Sequence, residues 1–321
     1  MIRHWMRITV FALAALCPTM TPAQYPARPI KILVPIPPGG APDIVARVTG
    51  QKLAESLGQQ VVVENRTGSN GNIAADLVAK SPADGYTLLL AQDSLFTINP
   101  HVYAKMPFDP LIDLVPVASI ASSQFILSVN PSLPVKNLNE FIEYARRAKP
   151  PLAFASGGNG SLSHLSMEIL KARTGIALVH VPYKGGTPAT TATVAGETPA
   201  TFAGASSAGQ IKAGRLRALA QTGARRSAAF SDLPSVGEFY QGFDVTAWHG
   251  LFAAAGTPEP VLARLRTEVT TVLAQPDLKE KLNAVGGMEP YAMKLEEFVA
   301  LIRRDHDRFG KLIKELKISL D

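Results

Sequence analysis

Cysteine is almost missing: Cys17 is the one cysteine in 321 residues. An intramolecular disulfide and a cysteine-built metal site are therefore excluded. Long apolar runs are missing as well, and no stretch approaches the 18 consecutive apolar residues that a membrane-spanning helix needs. The histidines after the N-terminal segment, at 101, 164, 180, 249 and 306, show no His-x-x-x-His or His-x-His spacing, which leaves a metal site without its usual sequence support. The Gly-x-Ser-x-Gly elbow of many serine hydrolases is absent. So are the Gly-Lys-Ser/Thr ending of a phosphate loop and the Gly-x-Gly-x-x-Gly of dinucleotide sites. No metal and no cofactor is expected.

What is there is a turn-rich globular composition, 46% hydrophobic with 25 glycines and 25 prolines, long enough for roughly two domains. The net charge of +6 comes from scattered lysines and arginines. Its densest cluster, Arg303-Arg-Asp-His-Asp-Arg308, is interleaved with acids and reads as a solvated helix face, so nucleic acid is not expected as a partner.

The first residues read as an export signal. Arg3 and Arg7 precede the apolar run Ile8 to Leu16, and Thr21-Pro-Ala23 offers small residues for cleavage. A lipid anchor on Cys17 is the competing reading, against which stand Leu16 and Pro18 on its two sides. Cleavage after Ala23 removes 23 residues and two arginines, leaving 298 residues, a net charge of +4 and no cysteine. The mature protein is then expected to be soluble and periplasmic.

After Gln24 the hydrophobic pattern alternates between strand and helix. Strands are expected at 30–36, 61–64 and 86–91, with helices at 42–57, ended by Gly58, and at 73–80. Apolar, β-prone sequence runs from Pro116 to Val129 and is broken by Asn130-Pro-Ser-Leu-Pro134. The alternation then resumes, with helices at 138–148, 163–174, 189–195 and 208–213, and strands at 152–155, 176–181, near 201 and at 216–222. Such β-α-β repetition implies mostly parallel sheets. Two α/β units joined mid-chain imply two lobes with a cleft between them.

Toward the C-terminus, Thr257-Pro-Glu259 reads as a cap, a first-turn proline and a first-turn acid before a helix over 261–274. A long amphipathic helix is expected at 295–316. Lacking a sheet of their own, these helices are expected to pack back on the first lobe. That lobe would comprise 24–124 and 246–321, the second 125–245, with strand crossings near 117–129 and 243–254.

Ligands of open α/β sheets sit where strands end and helices begin. Val34-Pro-Ile-Pro-Pro-Gly-Gly-Ala-Pro-Asp43 is such a corner, in which Gly39 and Gly40 supply backbone freedom and Pro42 fits a first helical turn. The N–H groups of that turn can hold an anion without a cationic side chain. Taken alone, it reads equally as a tight turn with no ligand. Asp43 is assigned to the helix dipole rather than to general-base work.

A second corner, Ala155-Ser-Gly-Gly-Asn-Gly-Ser-Leu-Ser-His164, offers glycines and the hydroxyls of Ser156, Ser161 and Ser163. A third, Val181-Pro-Tyr-Lys-Gly-Gly186, adds Tyr183 and Lys184. Three corners on two lobes describe an anion-binding cleft. Ser161 and His164 also permit a hydrolase reading, but they are only an i, i+3 pair with no acid nearby in sequence.

These corners belong to a longer series of landmarks: Tyr25-Pro-Ala-Arg-Pro-Ile30, Val62-Val-Glu-Asn-Arg66, Gly71-Asn-Ile73, Asp84-Gly-Tyr-Thr-Leu88, Ile98-Asn-Pro100, His180-Val-Pro-Tyr-Lys-Gly185 and Gly256-Thr-Pro258. With them the chain resembles, over essentially its whole mature length, the Bug (TctC-like) family of periplasmic receptors for tripartite tricarboxylate transporters. The resemblance implies a two-lobed α/β periplasmic-binding-protein fold, type II-like, its lobes joined by two crossing strands. It implies a monomer that catalyses nothing and closes on a small organic mono-, di- or tricarboxylate, then delivers it to membrane transporter subunits. Signalling to a membrane sensor is the alternative.

Carried over residue by residue, the resemblance points to Pro38, Gly39, Gly40 and Asp43 in one lobe, with Ser94 beside them. In the other lobe it points to Ser156, Gly157, Gly160, Ser161, His164, Tyr183 and Lys184. One stretch departs from the family pattern. Ala192 to Ala203 lacks the aspartates usual there, including one at Ala203 beside the expected cleft. The resemblance then implies a ligand without an amino group, or weakened binding.

Overall fold

The computed structural model describes residues 25–204 and 207–316. The export signal expected over 1–23 lies outside the described residues. The chain opens with β1 (Ile30–Val34), α1 (Ala41–Leu57), β2 (Val61–Asn65), α2 (Asn72–Ala79) and β3 (Thr87–Gln92). Two one-turn helices follow, α3 (Ser94–Thr97) and α4 (Asn99–Val102), before the crossing strands β4 (Leu114–Gln124) and β5 (Ile126–Val129). The middle of the chain contains α5 (Leu138–Arg147), β6 (Leu152–Ser156), α6 (Leu162–Thr174), β7 (Leu178–Pro182), α7 (Gly186–Ala195), β8 (Ala200–Ala203), α8 (Ala208–Lys212) and β9 (Arg217–Gln221). It closes with β10 (Thr246–Ala254), α9 (Glu259–Leu273), α10 (Pro276–Gly286), β11 (Glu289–Pro290) and α11 (Leu295–Leu316).

Local chemistry sets many of these boundaries. Pro42 occupies the first turn of α1, where a missing N–H costs nothing, and Gly58 ends that helix in the left-handed region at φ 64°. Asn137 caps α5 by accepting the Glu140 N–H at 2.9 Å, and Glu140 accepts the Lys136 N–H in return. The expected Thr257 cap is not formed. Pro258 and Pro260 bracket the start of α9, and the Thr257 hydroxyl instead donates back to the Ala254 carbonyl at 2.7 Å.

The strands form two sheets, ordered β11-β4-β10-β3-β1-β2 and β7-β6-β8-β5-β9, and the fold is two-lobed. Each sheet has a parallel trio, β2-β1-β3 or β7-β6-β8, while its remaining pairings are antiparallel. The sheets are thus mixed rather than mostly parallel. β10 runs against the first trio and β5 against the second, while β4, on the far side of β10, runs with the first.

The C-terminal helices do more than return to the first lobe. β11 pairs with β4, and α11 reaches across. Phe298, Leu301 and Ile302 pack with the first sheet's aromatic cluster, and Phe309 and Ile313, further along, join the core of the second lobe. Trp248 on β10 donates its indole N–H to Asp305 of α11 at 3.2 Å, holding this helix against the crossing strand.

At Gly250, where β10 shifts register against β4, an added Cβ would lie 2.6 Å from Phe298 Cζ and 2.8 Å from Phe252 Cε2. We expect Gly250→Ala to lower stability in a denaturant titration by about 1–3 kcal/mol, the usual cost of overpacking. Gly209→Ala in α8, where an added Cβ meets nothing within 4 Å, should be neutral or stabilising.

Candidate functional site

The corner between β1 and α1 is braced from behind. Asp43, 3% exposed, accepts the Gly39 N–H through Oδ2 at 2.9 Å. Its Oδ1 accepts from Arg47 Nε at 3.0 Å and Asn65 Nδ2 at 2.9 Å. Burial alone would raise the Asp43 pKa, but the hydrogen bonds from Arg47, Gly39 and Asn65 outweigh it and hold the carboxyl below its ordinary range. Asp43 is thus a fully engaged brace. Gly39 supplies the left-handed turn at φ 82°, whereas Gly40 has ordinary angles, φ −79° and ψ 164°, and is needed for room because an added Cβ would collide with the Ile36 side chain.

The corner between β6 and α6 is held by its own hydroxyls. The Gly157 N–H donates to Ser163 Oγ at 3.0 Å, Ser161 Oγ caps α6 by accepting the His164 N–H at 3.3 Å, and the two hydroxyls meet at 3.1 Å. His164 Nδ1 accepts the Gly160 N–H at 3.3 Å, so in the neutral ring the proton is on Nε2, 3.8 Å from Glu168. The hydrolase reading loses its geometry, since Ser161 Oγ bonds the His164 backbone rather than the imidazole. In this corner a serine hydroxyl meets an imidazole at Ser156 Oγ and His180 Nε2 instead, at 2.5 Å.

His164 and His180 stack face to face, with ring centroids 3.9 Å apart and an interplanar angle of 8°. Burial lowers both to about 4, helped at His164 by Lys171 and at His180 by His164 and Lys171. Two stacked imidazoles cannot both charge cheaply beside a lysine.

The third corner, between β7 and α7, is stitched to the second. The Tyr183 N–H donates to Ser156 O at 3.0 Å and the Gly185 N–H to Gly157 O at 3.1 Å. A Cβ on Gly157 would sit 3.2 Å from Gly186 N, so the two backbones touch. The Tyr183 hydroxyl donates to Glu197 at 3.2 Å.

Two connected cavities occupy the cleft. The inner one, about 80 Å³, is where the first turns of α1, α6 and α7 come together, represented by Gly40, Ala41, Ser161, Leu162, Gly186 and Thr187. The outer one, about 780 Å³, is walled by Pro37, the loop 67–71, Tyr103, Asn159, Tyr183 and Lys184. Gly157 borders both. Of the candidates read from the sequence, Gly40, Gly157, Ser161, Tyr183 and Lys184 therefore reach the cavity walls. Pro38, Gly39, Asp43, Ser94, Ser156, Gly160, His164 and Ala203 are set back from them. Ala203 is buried in β8 opposite Ile126, and its neighbour Gly204 borders the inner cavity. Ser94 is fully buried, its hydroxyl accepting from Gln92 Nε2 at 2.9 Å.

Sequence reasoning missed a fourth corner, Thr67-Gly-Ser-Asn-Gly71, although its turn composition after a strand was the same signal. Ser69 and Asn70 sit at positive φ, 46° and 49°. Asn70 Nδ2 donates to Asn99 at 2.6 Å and across the cleft to the Gly160 carbonyl at 3.2 Å. It missed Asp93, Ser123 and His249 in the inner wall too, three polar residues far apart in the chain. Among the described residues no group of three or more histidines, cysteines or acids could hold a metal, and no helix is long and apolar enough to cross a membrane.

Residues 45–318 match the family model described as the tripartite tricarboxylate transporter family receptor. A protein of Pseudomonas sp. (strain P51), described as the UPF0065 protein in the tcbD-tcbE intergenic region, is 38% identical over 298 residues, 92% of this chain and 88% of its own. Among solved structures, R. palustris Rpa4515 with adipate is 35% identical with a TM-score of 0.88, covering 92% of this chain and all of its own. The periplasmic binding protein BugD is 30% identical with a TM-score of 0.84, covering 92% of this chain and 99% of its own.

The histidine stack makes stability depend on pH. Both folded-state values lie below the ordinary 6.5, so the stabilisation is complete above pH 6.5 and is lost as pH falls through 4. The thermal midpoint should fall across that window, and fall less steeply in His180→Asn. Equal slopes for the two proteins would contradict this.

Proposed function

The chain belongs to the tripartite tricarboxylate transporter receptor family, and from that premise we propose that it captures a small organic carboxylate between its lobes and delivers it to a membrane transporter of that type. The observation that carries this reading is the meeting of three helix starts, α1 from one lobe and α6 and α7 from the other, at one inner cavity. First-turn N–H groups have no acceptor within their own helix, and the positive end of each helix dipole favours an anion. Ser161 and Thr187 add hydroxyls, while Lys184 at the outer wall adds a positive charge. A carboxylate satisfies such donors without needing a counter-ion.

In this reading the lobes divide at 24–124 with 246–321 against 125–245, and they rock about the crossings where β4 passes to β5 and where the chain enters β10. The ligand-bound closed form is what the transporter recognises. The protein works as a periplasmic monomer after loss of the leader at Ala23, and it carries out no reaction. The adipate bound by Rpa4515 supports the ligand class. The absence of an acid at Ala203 favours ligands without an ammonium group.

A thermal-shift and calorimetric screen of mono-, di- and tricarboxylates, with aromatic acids included, should find saturable 1:1 binding. At a hundredfold excess over Kd it should stabilise the fold by about 2.7 kcal/mol. Gly157→Ala, which forces β6 and β7 apart at their corners, should weaken that binding about tenfold or more, because a small displacement of the donors is costly. A screen in which no carboxylate binds would overturn the proposal.

A further inference from the structure

The inner cavity ends on a polar floor that the helix starts do not supply. β3 delivers Gln92 and, one residue on, Asp93, while the crossing strands bring Ser123 from β4 and His249 from β10, His249 being the register partner of Gln92. Asp93 and His249 are each 1% exposed, and both border the cavity. Asp93 Oδ1 accepts the Ser94 N–H at 2.7 Å, but Oδ2 finds no partner among the described residues. His249 Nε2 lies 3.4 Å from Ser123 Oγ, and Nδ1 likewise finds none. Unpaired buried polar atoms are rare enough in folded proteins that two in one cavity wall call for a cause.

Their charge state narrows the chemistry. Burial first, then the Asp305 charge from α11, pushes the Asp93 carboxyl well above its usual range, against the opposing Ser94 N–H, Arg308 and Trp248 N–H environment. That direction favours the protonated, neutral carboxyl. Burial lowers His249 to about 4, so its ring is neutral. Among the described residues bordering the inner cavity there is no lysine or arginine.

We propose that Asp93 and His249 form a subsite for an uncharged, oxygen-bearing end of the ligand, a hydroxyl or carbonyl group, whose other end is the carboxylate held at the helix starts. This rests on the carboxylate reading above. The Asp93 O–H donates to the ligand oxygen, and a ligand hydroxyl can pair with His249 Nδ1 in whichever tautomer Ser123 selects. An ammonium group would face a neutral acid, with Ala203 supplying no charge to replace it. A second carboxylate would enter a wall without a cation, and a methyl end would leave both polar atoms unpaired.

Calorimetry on the mature protein with two matched series tests this. The four-carbon series is butanoate, 4-hydroxybutanoate, 4-aminobutanoate and succinate, and the six-carbon series is hexanoate, 6-hydroxyhexanoate, 6-aminohexanoate and adipate. In at least one series the hydroxy acid should bind about tenfold or more tighter than the other three members, since a site built for a hydrogen bond rejects analogues that lack it. Tighter binding of the amino acid or the diacid in both series, or affinities all within about threefold of one another, overturns the subsite while leaving the carboxylate reading intact. Binding of none of the eight overturns the subsite, while the carboxylate reading is decided separately by the wider screen of tricarboxylates and aromatic acids above. Asp93→Asn, which keeps a neutral donor and acceptor in place, should preserve the preference, and Asp93→Ala should flatten it. Loss of the preference in Asp93→Asn would mean that the ionised acid acts, and would contradict the proposal. The unmodified protein decides the main question even if either variant fails to fold.

Discussion

Helix N–H groups that cannot be satisfied within their own helix are the constraint around which this molecule is arranged. Three helices, α1, α6 and α7, begin at one small cavity, so their first-turn donors share one space. Holding such donors in place takes bracing, and each corner has its own. Asp43 grips Gly39 from behind, Ser161 and Ser163 tie down α6, and Gly185 is bonded to Gly157. The glycines are where backbones must approach, as at Gly157 against Gly186, or turn through the left-handed region, as at Gly39.

The second requirement is that the corners of different lobes meet in register. The run from Leu114 to Val129 belongs to both sheets, and β10 returns beside it, so two strand passages join the lobes. α11 lies across them, fixed to β10 through Trp248 and Asp305 and reaching the second lobe's core with Phe309 and Ile313. Contact between the lobes ranges from the hydrogen bond of Asn70 to the Gly160 carbonyl to the apolar packing of Ile98 and Val102 into the second lobe's core. Braced corners that meet between two lobes suit a receptor of the tripartite tricarboxylate transporter family.

Much of this was legible in the sequence. The alternation of strand and helix, the stop at Gly58 and the three glycine-rich corners follow from periodicity and from the conformational range of glycine and proline. The strand directions were not legible, because a buried crossing strand has the same apolar pattern whichever way it runs. Thr257 was read as a cap, but two flanking prolines dictate the start of α9. Several candidate residues turned out to face away from the cavities, His164 and Asp43 among them, because a polar residue at a corner can serve the corner itself. Asp93 and His249 escaped notice for the opposite reason. Asp93 lies between Gln92 and Ser94 at a strand end and His249 in an apolar strand, and only the pairing of β3 with β10 makes them neighbours.

A crystal structure of the mature protein with a bound carboxylate tests the central claim most directly. The account predicts carboxylate oxygens within hydrogen-bond distance of first-turn N–H groups or hydroxyls from both lobes, at Ala41 on one side and at Ser161, Gly186 or Thr187 on the other. A ligand held by one lobe alone, or one confined to the outer cavity beside Tyr183 and Lys184, would contradict it.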